Sequence, residues 1–171
     1  MKQKGFTKKE LITYLIIIVA IILIRIFIVT PVRVNGSSMD PTLKDGEIMI
    51  LNKIGYKVSD IKRFDIVVID IDDERLIKRV IGLPGDVIEY KDNVLYVNNK
   101  KIEETFKHKK TEDFSLKDIG IEKVPDNEYF VLGDNRTNSV DSRILGCFSK
   151  KSILGKTSLV LFPFSKLGFK K

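Results

Sequence analysis

The chain has one cysteine, Cys147, one histidine, His108, and no tryptophan. A single cysteine excludes an intrachain disulfide and a CxxC redox pair, and with a single histidine it cannot complete a Cys/His zinc site. A Ser-His-Asp triad would have to use His108. That residue stands in Lys107-His108-Lys109-Lys110, where like charges disfavour protonation, so it reads as an exposed loop histidine. Acidic residues are also missing from one end. None follows Asp141, whereas Arg143, Lys150, Lys151, Lys156, Lys166, Lys170 and Lys171 do. There is no internal repeat, and no metal or organic cofactor is implied.

The net charge of +7 over 171 residues is concentrated at the two ends, with Lys2, Lys4, Lys8 and Lys9 set against Glu10 at the start. A nucleic-acid reading would want a basic stripe with stacking aromatics, and none is present. A membrane surface fits better, since anionic head groups attract such clusters at roughly 1 kcal/mol per Lys or Arg.

One long apolar run is present. Residues 11–29 read LITYLIIIVAIILIRIFIV, interrupted only by Thr13, Tyr14 and Arg25, and a helix needs about 20 residues to cross the hydrocarbon core. A buried core helix would carry a polar face, so the run reads as a transmembrane anchor, with Arg25 snorkelling at its far end. The lysines before it predict a cytoplasmic tail, 1–10, and an extracytoplasmic domain, 30–171. Thr30-Pro31-Val32-Arg33 offers no small-x-small site, so the anchor is expected to be retained.

Beyond Pro31 the pattern changes to short apolar runs broken by Gly, Pro, Asn and Asp. Residues 32–34, 47–52, 65–70, 75–81, 86–89, 94–97, 129–132 and 156–162 are strand candidates, which predicts a mostly β, antiparallel catalytic domain after the helix. Turns are expected at Asn98-Asn99-Lys100, at Leu83-Pro84-Gly85-Asp86 and at Gly133-Asp134-Asn135-Arg136. The polar stretch at 98–127 reads as a solvated, variable cap-like insertion. The tail 161–171 mixes aromatics with lysines; it either rests on the outer leaflet or is a last strand with a basic end.

Asn35-Gly36-Ser37-Ser38-Met39-Asp40-Pro41-Thr42-Leu43 follows the anchor closely, so its hydroxyls lie near the outer membrane surface. A serine needs a base, and without a usable histidine the choices are a carboxylate or a lysine of lowered pKa. In Arg75-Leu76-Ile77-Lys78-Arg79-Val80-Ile81-Gly82, strand alternation puts Lys78 on the face of Leu76 and Val80, where apolar surroundings would lower its pKa. A solvated edge lysine is the competing reading.

Four motifs in order resemble those of the type I signal peptidases, in the compact single-anchor form of Gram-positive bacteria. They are Gly36-Ser37-Ser38-Met39-Asp40-Pro41-Thr42-Leu43, Arg63-Phe64-Asp65-Ile66-Val67-Val68, Leu76-Ile77-Lys78-Arg79-Val80-Ile81-Gly82-Leu83-Pro84-Gly85-Asp86, and Gly133-Asp134-Asn135-Arg136-Thr137-Asn138-Ser139-Val140-Asp141-Ser142-Arg143. The resemblance implies a membrane-bound serine endopeptidase that cuts secreted preproteins after a small-x-small pattern. It implies Ser38 as nucleophile, Lys78 as general base, Ser139 as the group orienting the lysine amine, and Asp141 paired with Arg143 as structural support. If 139–143 is an extended strand, those last three side chains share a face.

The Ser38 N–H would be the first oxyanion donor. Some relatives place a second donor, a serine hydroxyl, at the position of Gly36, so here that donor is left open. Substrate would add as an extended strand, with Val32, Val34, Met39, Leu76 and Ile77 lining pockets for small side chains. Two other classes fit the chain less well. A self-cleaving Ser-Lys repressor lacks its DNA-binding helix pair here, and a non-enzymatic tethered module would not need both dyad residues.

Overall fold

A computed structural model describes residues 7–27, 29–54, 60–71 and 74–170, without the side chains at 24–27. Lys2, Lys4, Arg25 and Lys171, which enter the sequence argument, lie outside the described side chains. The first element is a helix, α1 (Lys8–Phe27). Its apolar side chains from Leu11 to Leu23 are exposed on every side, at 45–63 % apart from the small Ala20. Among the described residues, no helix is long and apolar enough to cross a membrane. The helix stops two residues before the expected end of the anchor, because Val29 already belongs to a strand.

That strand, β1 (Val29–Arg33), pairs antiparallel with β2 (Ile48–Asn52). The main sheet continues through β11 (Ile153–Phe162), β3 (Ile66–Ile71), β4 (Glu74–Gly82), β9 (Glu128–Leu132) and β10 (Phe148–Ser149), and β12 (Gly168–Phe169) joins β11. A second sheet runs in the order β7 (Lys100–Ile102), β6 (Val94–Val97), β5 (Ile88–Lys91), β8 (Phe114–Ser115). All eight predicted strands form. The short β7, β8, β10 and β12 carry too few alternating apolar residues to show in the sequence.

Strand β3 explains how the core is split. Ile66 and Val68 enter a cluster with Val32, Val34, Met39, Leu43 and Ile77, while Val67 and Ile69 enter another with Val80, Val131 and Phe148. Successive side chains on a strand point to opposite faces, so IVVI fills both sides. A third cluster, including Ile81, Ile88, Tyr90, Leu95, Leu116, Val124 and Phe130, joins the two sheets. Burying a side chain of this size is worth roughly 1.5–3 kcal/mol, so these clusters dominate the stability of the domain.

The turns follow local chemistry. Asn98 and Asn99 have φ of 50° and 63° between β6 and β7, the left-handed pair that a two-residue hairpin requires and that Asn tolerates. Gly85 takes φ 83° in the Leu83–Asp86 turn. The stretch expected to be a solvated insertion behaves differently. It carries β7 and β8 and buries Thr111, Leu116 and Val124, because the second sheet needs these groups to close its inner face.

Candidate active site

Ser38 sits in a turn tied down at both ends. Gly36 N–H donates to the Asp45 carboxylate at 2.7 Å, and Leu43 N–H donates to the Met39 carbonyl at 2.9 Å. Met39 and Leu43 beneath it are 1 % and 0 % exposed. Ser38 is thereby held half-buried, with its hydroxyl turned toward β4.

Lys78 lies on β4 opposite Val67 of β3. Its Nζ donates to Ser38 Oγ at 2.8 Å, and the residue is 2 % exposed. Burial pushes the amine down to about 8; nearby Asp141 pulls it back up, and Arg143 pushes it down. A buried amine loses the hydration that favours its charged form. The competing reading of Lys78 as a solvated edge lysine is therefore wrong. With the amine at about 8, roughly a tenth of it is free base at pH 7, and it faces a hydroxyl, which is the arrangement of a base and its nucleophile.

The segment after β9 packs against this pair. Asn135 N–H donates to the Ser38 carbonyl at 2.9 Å, and Asn135 Nδ2 donates to the Ser37 carbonyl at 3.0 Å. A Cβ at Gly133 would overlap both the Ser38 carbonyl oxygen and Ser139 Oγ, so only glycine lets the two backbones approach so closely. Ser139 Oγ is buried and makes no hydrogen bond among the described residues.

Asp141 accepts from Gly133 N–H at 3.0 Å and from Arg143 Nε and Nη2, both at 2.9 Å. The expected extended strand through 139–143 does not form. Asp141 instead caps α2 (Ser142–Leu145), accepting from Arg143 N–H, and the pair meets across a helix N-terminus. An Asp carboxylate satisfies the free N–H groups there, which an extended chain would not present.

The candidate pocket residues separate. Val32, Val34, Met39 and Ile77 are core, between 1 % and 8 % exposed, whereas Leu76 lines an open cavity of about 660 Å³ with Asn35, Asp70, Glu74 and Arg75. Beside that cavity β4 pairs with β9 only from Arg79 onward. Among the described residues, its edge from Glu74 to Lys78 opposite β3 has no ladder partner.

His108 is not exposed as expected: its side chain is 12 % exposed and pairs with Glu104 at 3.4 Å. It bonds neither dyad residue. Cys147 packs under the second sheet, and burial pushes its thiol up to about 12, so it is no nucleophile.

Sequence reasoning gave no role to Arg79, Asp134, Asn135 or Arg136. Arg79, adjacent to Lys78, points to the other face of β4 and forks onto Asp134 at 2.9 and 2.7 Å. The signal was available in the alternation itself, since a charge on each face of a central strand requires two buried partners.

The family described as signal peptidase, peptidase S26, matches residues 8–162. Signal peptidase I of Bacillus amyloliquefaciens is 45 % identical, over 97 % of this chain and 96 % of its own. Signal peptidase I S of Bacillus subtilis is 43 % identical over 98 % of both chains, and signal peptidase IB of Staphylococcus aureus (strain MRSA252) is 42 % identical over 95 % of both. The crystal structure of a signal peptidase I from Enterococcus faecalis superposes with a TM-score of 0.53 at 36 % identity, covering 57 % of this chain and 97 % of that one.

Proposed function

As a member of the signal peptidase, peptidase S26, family, the chain is a serine endopeptidase that removes signal peptides from secreted preproteins, and we propose that Ser38 and Lys78 carry the reaction. The observation that supports this assignment is the 2.8 Å hydrogen bond between Ser38 Oγ and a buried, low-pKa Lys78.

Lys78 takes the Ser38 proton as Oγ attacks the scissile carbonyl carbon. The resulting ammonium returns that proton to the leaving amine, and an ester to Ser38 remains. A water then attacks the ester carbon as the same amine takes its proton; the acyl C–O bond to Ser38 breaks, the ammonium returns the proton to Oγ, and the product acid leaves as its carboxylate after losing its proton to solvent. The Ser38 N–H, which no hydrogen bond engages among the described residues, is available to the oxyanion.

Ser139, whose Oγ lies beside Gly133 and makes no hydrogen bond among the described residues, is the group proposed to orient the Lys78 amine once substrate is bound, while Asp141 and Arg143 hold the segment. The substrate lies as a strand along the unpaired β4 edge from Glu74 to Lys78, reaching the dyad with its cleavage site. Leu76 lines this approach. Val32, Val34, Met39 and Ile77 form the apolar floor beneath, which favours small side chains above it.

The apolar run 11–29, whose side chains at 24–28 lie outside those described, is the proposed single membrane span, with the basic tail in the cytoplasm and the β domain outside. The helix with apolar side chains exposed all round supports this, since no part of the β domain covers them. The aromatic tail rests on the outer leaflet. Phe162, Phe164, Leu167 and Phe169 are 49–79 % exposed in a stretch that carries only positive charge, the composition that interfacial lipid binding favours.

The test is cleavage of a detergent-solubilised preprotein by wild type, Ser38→Ala and Lys78→Ala, with folding checked by circular dichroism. Cleavage after a small residue by wild type alone supports the dyad. Comparable cleavage by folded Lys78→Ala places the base elsewhere.

A further inference from the structure

Residues 103–113 join β7 to β8 without regular structure, yet their burial alternates. Glu104, Phe106 and His108 turn inward while Glu103, Thr105, Lys107 and Lys109 face water, the period of an extended chain lying on a surface. What lies under this arm is the frame of the dyad.

Glu104 accepts from Arg136 Nη2 at 2.5 Å, with side chains 5 % and 0 % exposed, and from Tyr90 Oη at 3.0 Å. Arg136 Nη1 donates to Tyr90 Oη at 3.0 Å and to Thr111 Oγ1 at 2.7 Å. Its Nε donates to the Gly133 carbonyl at 3.1 Å. Arg136 thus connects the arm to the turn whose Asn135 N–H holds the Ser38 carbonyl.

The arm reaches the other two catalytic segments as well. The Phe106 ring lies 3.8 Å below the Arg79 guanidinium, next in sequence to Lys78. Lys109 N–H donates to the Asp134 carbonyl at 2.9 Å. Thr42 Oγ1, four residues after Ser38, donates to the Lys107 carbonyl at 3.1 Å. One extended stretch, which joins two strands of the second sheet, therefore touches the serine turn, the lysine strand and the Gly133 turn.

We propose that the 104–111 arm is a positioning element of the reaction, and that the buried Glu104–Arg136 pair fixes the Gly133–Asn135 turn against Ser38. This rests on the Ser38–Lys78 reading above. A buried ion pair with its hydrogen bonds satisfied adds little stability over an apolar replacement, but it specifies one arrangement of the groups around it. A shift of about 1 Å in a reacting group can lower a rate by about 100-fold. The residues act through the turn and touch neither substrate nor reacting atoms.

The experiment compares wild type, Ser38→Ala, Glu104→Gln, Glu104→Asp, Thr42→Val and the exposed control Glu103→Gln. All are full-length, in detergent, cleaving one preprotein at a temperature where each is folded by circular dichroism. Glu104→Gln is expected to lower kcat at least 10-fold with KM within about 3-fold, and to leave the midpoint of the pH–rate profile in place. Glu104→Asp restores part of kcat, Thr42→Val lowers kcat about 3-fold, and Glu103→Gln matches wild type.

A kcat for folded Glu104→Gln within 2-fold of wild type overturns the proposal. So does a loss that disappears on cooling, which would mark partial unfolding alone. If Glu104→Gln does not fold, Thr42→Val decides: an unchanged kcat overturns the positioning role. Turnover by wild type and none by Ser38→Ala keeps these outcomes separate from failure of the nucleophile assignment. A folded Ser38→Ala that still cleaves overturns that assignment, and the positioning proposal with it.

Discussion

Arg79 Nε and Nη2 donate to the two carboxylate oxygens of Asp134 at 2.9 and 2.7 Å, between side chains 1 % and 0 % exposed. The pair lies on the face of β4 opposite Lys78 and fastens that strand to the turn whose Asn135 N–H holds the Ser38 carbonyl. Removing one partner of a buried pair leaves an uncompensated charge, at a cost of about 3–5 kcal/mol. Asp134→Asn is expected to lose about 3 kcal/mol in urea unfolding of the detergent-solubilised protein. In an Arg79→Met background the same change should cost far less, and equal costs in both backgrounds would show that the pair is not coupled.

The proposed reaction uses Lys78 without its proton, and burial pushes the amine down to about 8. Below that value the free base falls about tenfold per pH unit, so kcat/KM is expected to rise with pH and level off above about 8. Arg143 pushes the amine down, so Arg143→Gln should move the midpoint to higher pH. A profile flat from pH 6 to 9 would rule out Lys78 as the base.

Gly133 is where two backbones meet without room for a side chain. Gly133→Ala must push the Ser38 carbonyl or Ser139 aside, displacing the nucleophile rather than unfolding the core. A kcat lowered by about 100-fold is expected, given the sensitivity of such reactions to a displacement of about 1 Å. Near-normal turnover would show that the turn is free to yield.

The chain contains no tryptophan, so Phe164→Trp introduces a single reporter at a side chain 79 % exposed. Reconstituted in vesicles with brominated acyl chains, it is expected to emit at shorter wavelength and to be quenched, as a ring buried at the acyl boundary is. Emission matching that of tryptophan in water, unquenched, would show that the tail faces solvent.

The sequence alone determined the eight longer strands and singled out the two residues proposed to react. Continuous apolar runs such as 66–69 and alternation through 76–80 are local patterns, and so is the near absence of Cys and His that narrows the base to lysine or carboxylate. It also pointed to Ser38 and Lys78 through motifs that are contiguous in the chain. What tertiary structure decided is how separate segments meet. Whether Lys78 is solvated or buried depends on β3 and the Gly133 turn closing around it, and a burial-driven pKa has no meaning before that closure. Asp141 and Arg143 meet across a helix cap rather than along a strand, because Gly133 N–H and the first turn of α2 supply donors that an extended chain lacks. Glu104 looked solvated among its neighbouring charges for the same reason. Its partner, Arg136, lies 32 positions away, and only the packing of the second sheet against the first brings the two charges together.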